Sequence, residues 1–283
     1  MNEVRNIAAS TKEKLKNIAV QKNIEFQHVQ RQYVYERFLY RLSLSPYCQN
    51  LIIKGAMLLI AYKVAASRPT KDIDLLGKSI PNNEDEIRDI IKAIIQIPYN
   101  DGITFDAESI HTANIVEGDE YHGIRVKFDG FMDRSRIRLH IDIGFGDKIV
   151  NGPIQIEFPV ILNYPAPKVY VYSLESAVAE KFEAIVSLQL TTSRMKDFYD
   201  IIFLSDSKHL DRSSLKEAIT TTFAQRNTDI EHRLLIYKNE FKMNPEKQLQ
   251  WDQFLKRNNL NFEPSFRKIV ELLEAFIEPV VTG

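Results

Sequence analysis

The stretch Arg68-Pro69-Thr70-Lys71-Asp72-Ile73-Asp74-Leu75-Leu76 constrains the fold of this chain more than any other. Side chains alternate faces along an extended strand. Ile73 and Leu75 therefore enter a core, while Asp72 and Asp74 share the opposite face. Two acids side by side repel each other unless a cation lies between them, and hard oxygen ligands suit Mg²⁺. The same pattern also reads as a solvated strand face. An acid–apolar–acid triplet is common by chance, so the neighbouring segments decide.

Upstream, Leu51-Ile52-Ile53-Lys54-Gly55-Ala56-Met57-Leu58-Leu59-Ile60-Ala61-Tyr62 reads as a short buried strand, a glycine turn and a helix. A glycine at such a junction lets a phosphate approach the backbone and the positive end of the helix. A plain tight turn is the other reading of a lone Gly55. Downstream lies Arg136-Ile137-Arg138-Leu139-His140-Ile141-Asp142-Ile143-Gly144-Phe145-Gly146-Asp147. Ile137, Leu139, Ile141 and Ile143 are apolar, and Arg138, His140 and Asp142 share the other face. Asp142 is thus a third acid on a strand.

This order of elements resembles the nucleotidyltransferase superfamily built on the polymerase β-like palm. The resemblance implies that Asp72, Asp74 and Asp142 hold two Mg²⁺ ions and that the glycine turn meets a triphosphate. The superfamily turn is usually Gly-Gly or Gly-Ser, whereas this chain has Gly55-Ala56. A hydroxyl is missing at position 56, which leaves the backbone contact.

The second half narrows the resemblance. Leu174-Glu175-Ser176-Ala177-Val178-Ala179-Glu180-Lys181-Phe182-Glu183 has helical period, with Ser173 as its N-cap. Ser193-Arg194-Met195-Lys196-Asp197-Phe198-Tyr199-Asp200 follows. Together with Lys54-Gly55, with Arg68-x-Thr70-x-Asp72-Ile73-Asp74 and with Asp142 to Asp147, these segments are similar to the AbiEii/AbiGii toxin family. Its members are nucleotidyltransferases of abortive-infection and toxin–antitoxin systems. The ordered motifs cover roughly residues 30 to 205, and the tail matches more loosely to about 260.

The resemblance implies an α+β fold: a polymerase β-like palm with N-terminal helices over residues 1–167, then a helical C-terminal domain over 168–283. The expected boundary falls in the Pro165 to Lys168 stretch, with the two domains facing a cleft. The resemblance also implies metal ligation by Asp72, Asp74 and Asp142, and triphosphate contacts from Lys54, Gly55, Ala56, Arg68 and Lys181. Asp197 joins Lys181 in the active site. Asp142 or a metal-bound hydroxide takes the acceptor's proton. Other readings stand beside these. Arg194, Asp197 and Asp200 share a helix face, so Arg194–Asp197 also reads as an intrahelical ion pair. Arg68 reads equally as a surface ion pair, and His140 as a bystander.

Composition bounds the partners. The net charge is −1, which argues against broad non-specific nucleic-acid binding but not against a local patch. Arg134, Arg136, Arg138, Lys127 and Lys148 are candidates for one; a solvated strand face is the alternative. The single cysteine excludes an internal disulfide and a Cys-rich zinc site. No run approaches the ~20 apolar residues of a membrane span, and Met1 to Lys16 lack a signal segment, so a cytoplasmic protein is expected. Ser10-Thr11-Lys12-Glu13 reads as a capping box opening a first helix. Four strands are expected at 103–108, 110–116, 121–128 and 134–144, and Trp251 anchors a C-terminal helix.

The expected function is transfer of a nucleoside monophosphate from an NTP to an RNA acceptor, such as the 3′ end of tRNA, with a cognate antitoxin as neutralising partner. The alternatives are nucleotidyl transfer to a protein or small molecule, a metal-dependent nuclease, and a palm that binds nucleotide without catalysis. The three acids argue against the last. Gly55 and Lys181 point to triphosphate and away from the nuclease.

Overall fold

A computed structural model describes residues 6–64, 70–117 and 120–283. The described residues fall into two units. One draws on 6–61, 70–146 and Gln155–Val171; the other on 62–64, Asp147–Ile154 and Tyr172–Gly283.

The first unit opens with α1 (Ile7–Lys22) and α2 (Phe26–Leu44). Asn6 caps α1 by accepting from the Ala9 N–H at 3.0 Å. The helix therefore starts before the expected capping box, whose residues lie inside it. Then come β1 (Leu51–Lys54), α3 (Met57–Ala61), β2 (Ile73–Gly77) and α4 (Glu84–Ile95). Ile87, Ile90, Ile91, Ile94 and Ile95 are all buried, the single apolar stripe their helical spacing requires. Each such side chain taken from water contributes about 1.5–3 kcal/mol. Asn83 caps the helix, and Glu84, Asp85 and Glu86 lie in its first turn, where negative charge is favourable.

Three long strands follow: β3 (Thr104–Glu117), β4 (Glu120–Met132) and β5 (Ser135–Phe145). The two strands expected at 103–108 and 110–116 are one strand. Its pairing with β4 is interrupted between Asp106 and His111, and this irregularity is the break the alternation registers. After β6 (Ile154–Glu157) and β7 (Lys168–Val171), the sheet order is β3-β4-β5-β2-β1-β7-β6. β1 runs antiparallel to β2 and parallel to β7, and β2 runs parallel to β5. Ile53, Ile73, Leu75, Leu139, Ile141 and Ile143 are fully buried. Their burial fixes the register, because a one-residue slip would send the whole set to the opposite face.

The second unit holds α5 (Leu174–Leu188), α6 (Met195–Ser205), α7 (Arg212–Gln225), α8 (Arg233–Ile236), α9 (Asn239–Lys242), α10 (Pro245–Arg257) and α11 (Phe266–Thr282). Ser173 caps α5 as expected, accepting from the Ser176 N–H. Asn244 caps α10 with Pro245 in its first turn, where the missing N–H costs nothing. Trp251 is fully buried among Tyr199, Phe254, Phe262 and Phe266, and its indole N–H donates to the Pro264 carbonyl at 2.9 Å. It is the anchor its sequence context suggests. None of the described helices is long and apolar enough to cross a membrane.

Candidate active site

Parallel pairing of β2 with β5 sets Asp74 directly beside Asp142. Neighbouring strands lie about 4.8 Å apart, so the two carboxylates leave the sheet side by side. Asp72 immediately precedes β2, and its Oδ1 lies 3.8 Å from Nδ1 of His140 on β5. Thr70 donates its hydroxyl to the Asp72 carbonyl at 2.8 Å, and Tyr35 of α2 donates to the Lys71 carbonyl. These two bonds hold the segment leading into the acids.

Gly55 adopts φ +65°, the left-handed region that favours glycine. A Cβ built there would fall 1.9 Å from Oδ2 of Asp74. The turn after β1 is thus pressed against one of the acids, and only glycine fits on both counts. Lys54 ends β1 in register with Asp74. Ala56 is buried, in keeping with its lack of a hydroxyl. Arg68 lies outside the described residues.

Arg125 of β4, which the sequence reading missed, grips Asp142. Its Nε and Nη2 donate to the two carboxylate oxygens at 2.8 and 2.7 Å. These bonds hold the guanidinium above its usual range. Burial opposes them, and the charges of Asp142, Asp72 and Asp74 add smaller upward contributions. A signal for Arg125 existed. Asp133-Arg134 forms a two-residue turn between Met132 and Ser135, and counting back along that hairpin puts Arg125 opposite Asp142. His140 is held below its ordinary range by burial, with help from Lys127, Arg125 and Arg138, while Asp72 pulls the other way.

Among the described residues, no three His, Cys, Asp or Glu side chains are grouped so as to hold a metal ion. One cation that shares the field of Asp72, Asp74 and Asp142 is the Arg125 guanidinium. Asp74 and Asp142 in register, with Asp72 just ahead of β2, are oxygen donors of the kind Mg²⁺ takes, and Asp142 is already bound to a positive group.

The second unit carries the other expected residues. Lys181 on α5 donates to Asp197 at 3.0 Å and to Asp200 at 2.7 Å, both on α6. Arg194 also donates to Asp197, so the intrahelical pair exists alongside the Lys181 contact. Both aspartates are buried. Burial alone would raise the Asp197 carboxyl, but Lys181 and Arg194 outweigh it and hold it at about 2. Of the basic-patch candidates, Arg136 and Arg138 both bind the buried carboxylate of Asp129.

The fold is shared with solved structures. JHP933 from Helicobacter pylori superposes with a TM-score of 0.53 at 14% identity, covering 91% of this chain and 93% of that one. The MenT4 nucleotidyltransferase toxin of Mycobacterium tuberculosis gives 0.54 at 13% identity, covering 96% and 97%. A putative nucleotidyltransferase from H. pylori gives 0.54 at 13%, covering 92% and 96%. No curated protein matches the sequence. A family model described as nucleotidyl transferase AbiEii toxin, type IV toxin–antitoxin system, matches residues 37–272. The chain belongs to this family of nucleotidyltransferase toxins.

Proposed function

We propose that this toxin transfers a nucleoside monophosphate from an NTP to an RNA acceptor, the 3′ end of tRNA, in a reaction that requires Mg²⁺. The observation that carries the reading is the in-register pair Asp74 and Asp142 with Gly55 pressed against Asp74. Asp72, Asp74 and Asp142 would hold the metal. When bound there, Mg²⁺ supplies positive charge to the attacking and leaving oxygens of an in-line displacement.

The remaining work falls to the chain itself. Gly55 and Ala56 offer backbone N–H groups to the triphosphate, and Lys54 and Arg68 offer charge. Arg125 gives up Asp142 when the site fills, and Asp142 takes the acceptor's proton. Lys181 serves the triphosphate as a point charge. Asp197 acts through Lys181, whose ammonium it holds together with Asp200. The setting is the cytoplasm, with a cognate antitoxin relieving the toxicity.

The test is incubation of the purified protein with each α-phosphate-labelled NTP in turn, Mg²⁺ and total cellular RNA, followed by a denaturing gel. Label on a tRNA-sized band is the expected result. Label on a protein or a small molecule would replace the acceptor and keep the chemistry. Absence of label with every NTP would remove both.

A further inference from the structure

β5 begins at Ser135, but its pairing with β2 begins only at Ile141. Beside the beginning of β5, where β4 pairs with it and β2 does not, the first unit has a groove of about 760 Å³ that reaches Asp72. It is lined by five cations, Lys12, Arg31, Lys71, Arg136 and Arg138, against the one carboxylate of Asp72. In a chain whose net charge is −1, that is a marked local concentration.

The cations are only partly neutralised from behind. Lys12 has Asp133 at 3.6 Å, and Arg136 and Arg138 share the single carboxylate of Asp129. Arg136 and Arg138 keep 60% and 41% of their side chains exposed. Gln30 also lines the groove; it is 8% exposed, and its Nε2 has no hydrogen-bond partner among the described residues. A buried donor without an acceptor is costly, so this amide suits a ligand that brings an oxygen.

Arg136, Arg138, His140 and Asp142 lie on one face of β5, spaced by two-residue steps of about 6.7 Å. The basic track therefore leads along the strand toward the acids. A lone triphosphate would need only one end of it. A chain of successive phosphates would use its whole length and bring its terminus to Asp142.

We infer that this groove binds the single-stranded 3′-terminal stretch of the RNA acceptor, its phosphates on Arg31, Lys71, Arg136 and Arg138, and an acceptor oxygen on Gln30. The inference rests on the RNA-acceptor reading and adds where the acceptor sits.

The experiment measures anisotropy of a 5′-fluorescein-labelled RNA oligonucleotide of mixed sequence against salt, for wild type and for Arg31→Gln with Arg136→Gln. Each single-strand phosphate contact contributes a slope of about 0.7 in log K against log salt. The double variant should bind about tenfold more weakly at physiological salt and lose about 1.4 from that slope. It should still fold, and its stabilisation by NTP and Mg²⁺ should match wild type. If wild type labels RNA while the variant binds the oligonucleotide equally well with the same slope, the groove assignment is overturned and the RNA-acceptor reading survives. If the variant instead loses stabilisation by NTP and keeps RNA affinity, the groove holds triphosphate and the assignment is equally overturned. If wild type neither binds nor labels RNA, the underlying reading fails and takes the groove with it.

Discussion

A Cβ on Gly55 would stand 1.9 Å from Oδ2 of Asp74, and Gly55 itself is left-handed at φ +65°. The turn after β1 and the acid on β2 therefore cannot be varied independently. Gly55→Ala should cost at least ~1 kcal/mol from backbone conformation alone, before the clash is counted. Because the clash falls on Asp74, activity should drop further than stability does. Urea unfolding and NTP incorporation on the same preparation check this. A variant with wild-type activity would show that Asp74 can move away from the turn without consequence.

Arg125→Gln should change how the protein responds to metal. Without its guanidinium, Asp142, Asp72 and Asp74 lose one cation whose field they share. The metal-free variant should melt lower than wild type at low salt, and Mg²⁺ should raise its melting temperature more than it raises that of wild type. Identical Mg²⁺-induced shifts would mean that Arg125 and the metal do not compete.

Binding of NTP with Mg²⁺ should raise the melting temperature, and NTP with EDTA should do so much less. A ligand that binds only the native state stabilises it by mass action. In this account the metal bridges triphosphate and carboxylates. Equal shifts with and without EDTA would favour a palm that binds nucleotide without metal.

Asp197 should leave a mark on acid stability. Despite burial, Lys181 and Arg194 hold its carboxyl at about 2, below the ordinary 3.8. A depressed carboxyl contributes stability above its ordinary value and loses it as pH falls through the folded value. The contribution, roughly 2 kcal/mol, should therefore disappear between about pH 4 and pH 2. Asp197→Asn should flatten melting temperature across that window. Arg194→Ala should cost less than Asp197→Ala in stability and activity, because Arg194 is more than a third exposed and such pairs contribute little. Equal losses in the two alanine variants would mean that Asp197 matters only through Arg194.

Much of this site could be read from alternation and period. Ile73 and Leu75 are buried while Asp72 and Asp74 are only partly so, and the isoleucines of α4 form one face. Local chemistry was harder to read where two signals competed. Ser10 to Glu13 have capping-box spacing, but Asn6 lies one turn earlier and captures the helix start. Long-range register was the main loss. Arg125 meets Asp142 only because a two-residue turn joins β4 and β5, and nothing in the local sequence around Arg125 marks it. The hold of Asp200 on Lys181 likewise depends on how α5 packs against α6, which helical period alone does not specify.

The most direct measurement is Mg²⁺-dependent incorporation of α-phosphate-labelled NTP by wild type, Asp74→Ala and Asp142→Ala, each with a melting curve. Both acids face out of the sheet and not into its core, so both variants should fold; loss of repulsion can even stabilise the metal-free protein. The account predicts Mg²⁺-dependent labelling of RNA by wild type and none by either folded variant. Full incorporation by either folded variant would contradict the assignment of these carboxylates to the catalytic metal site.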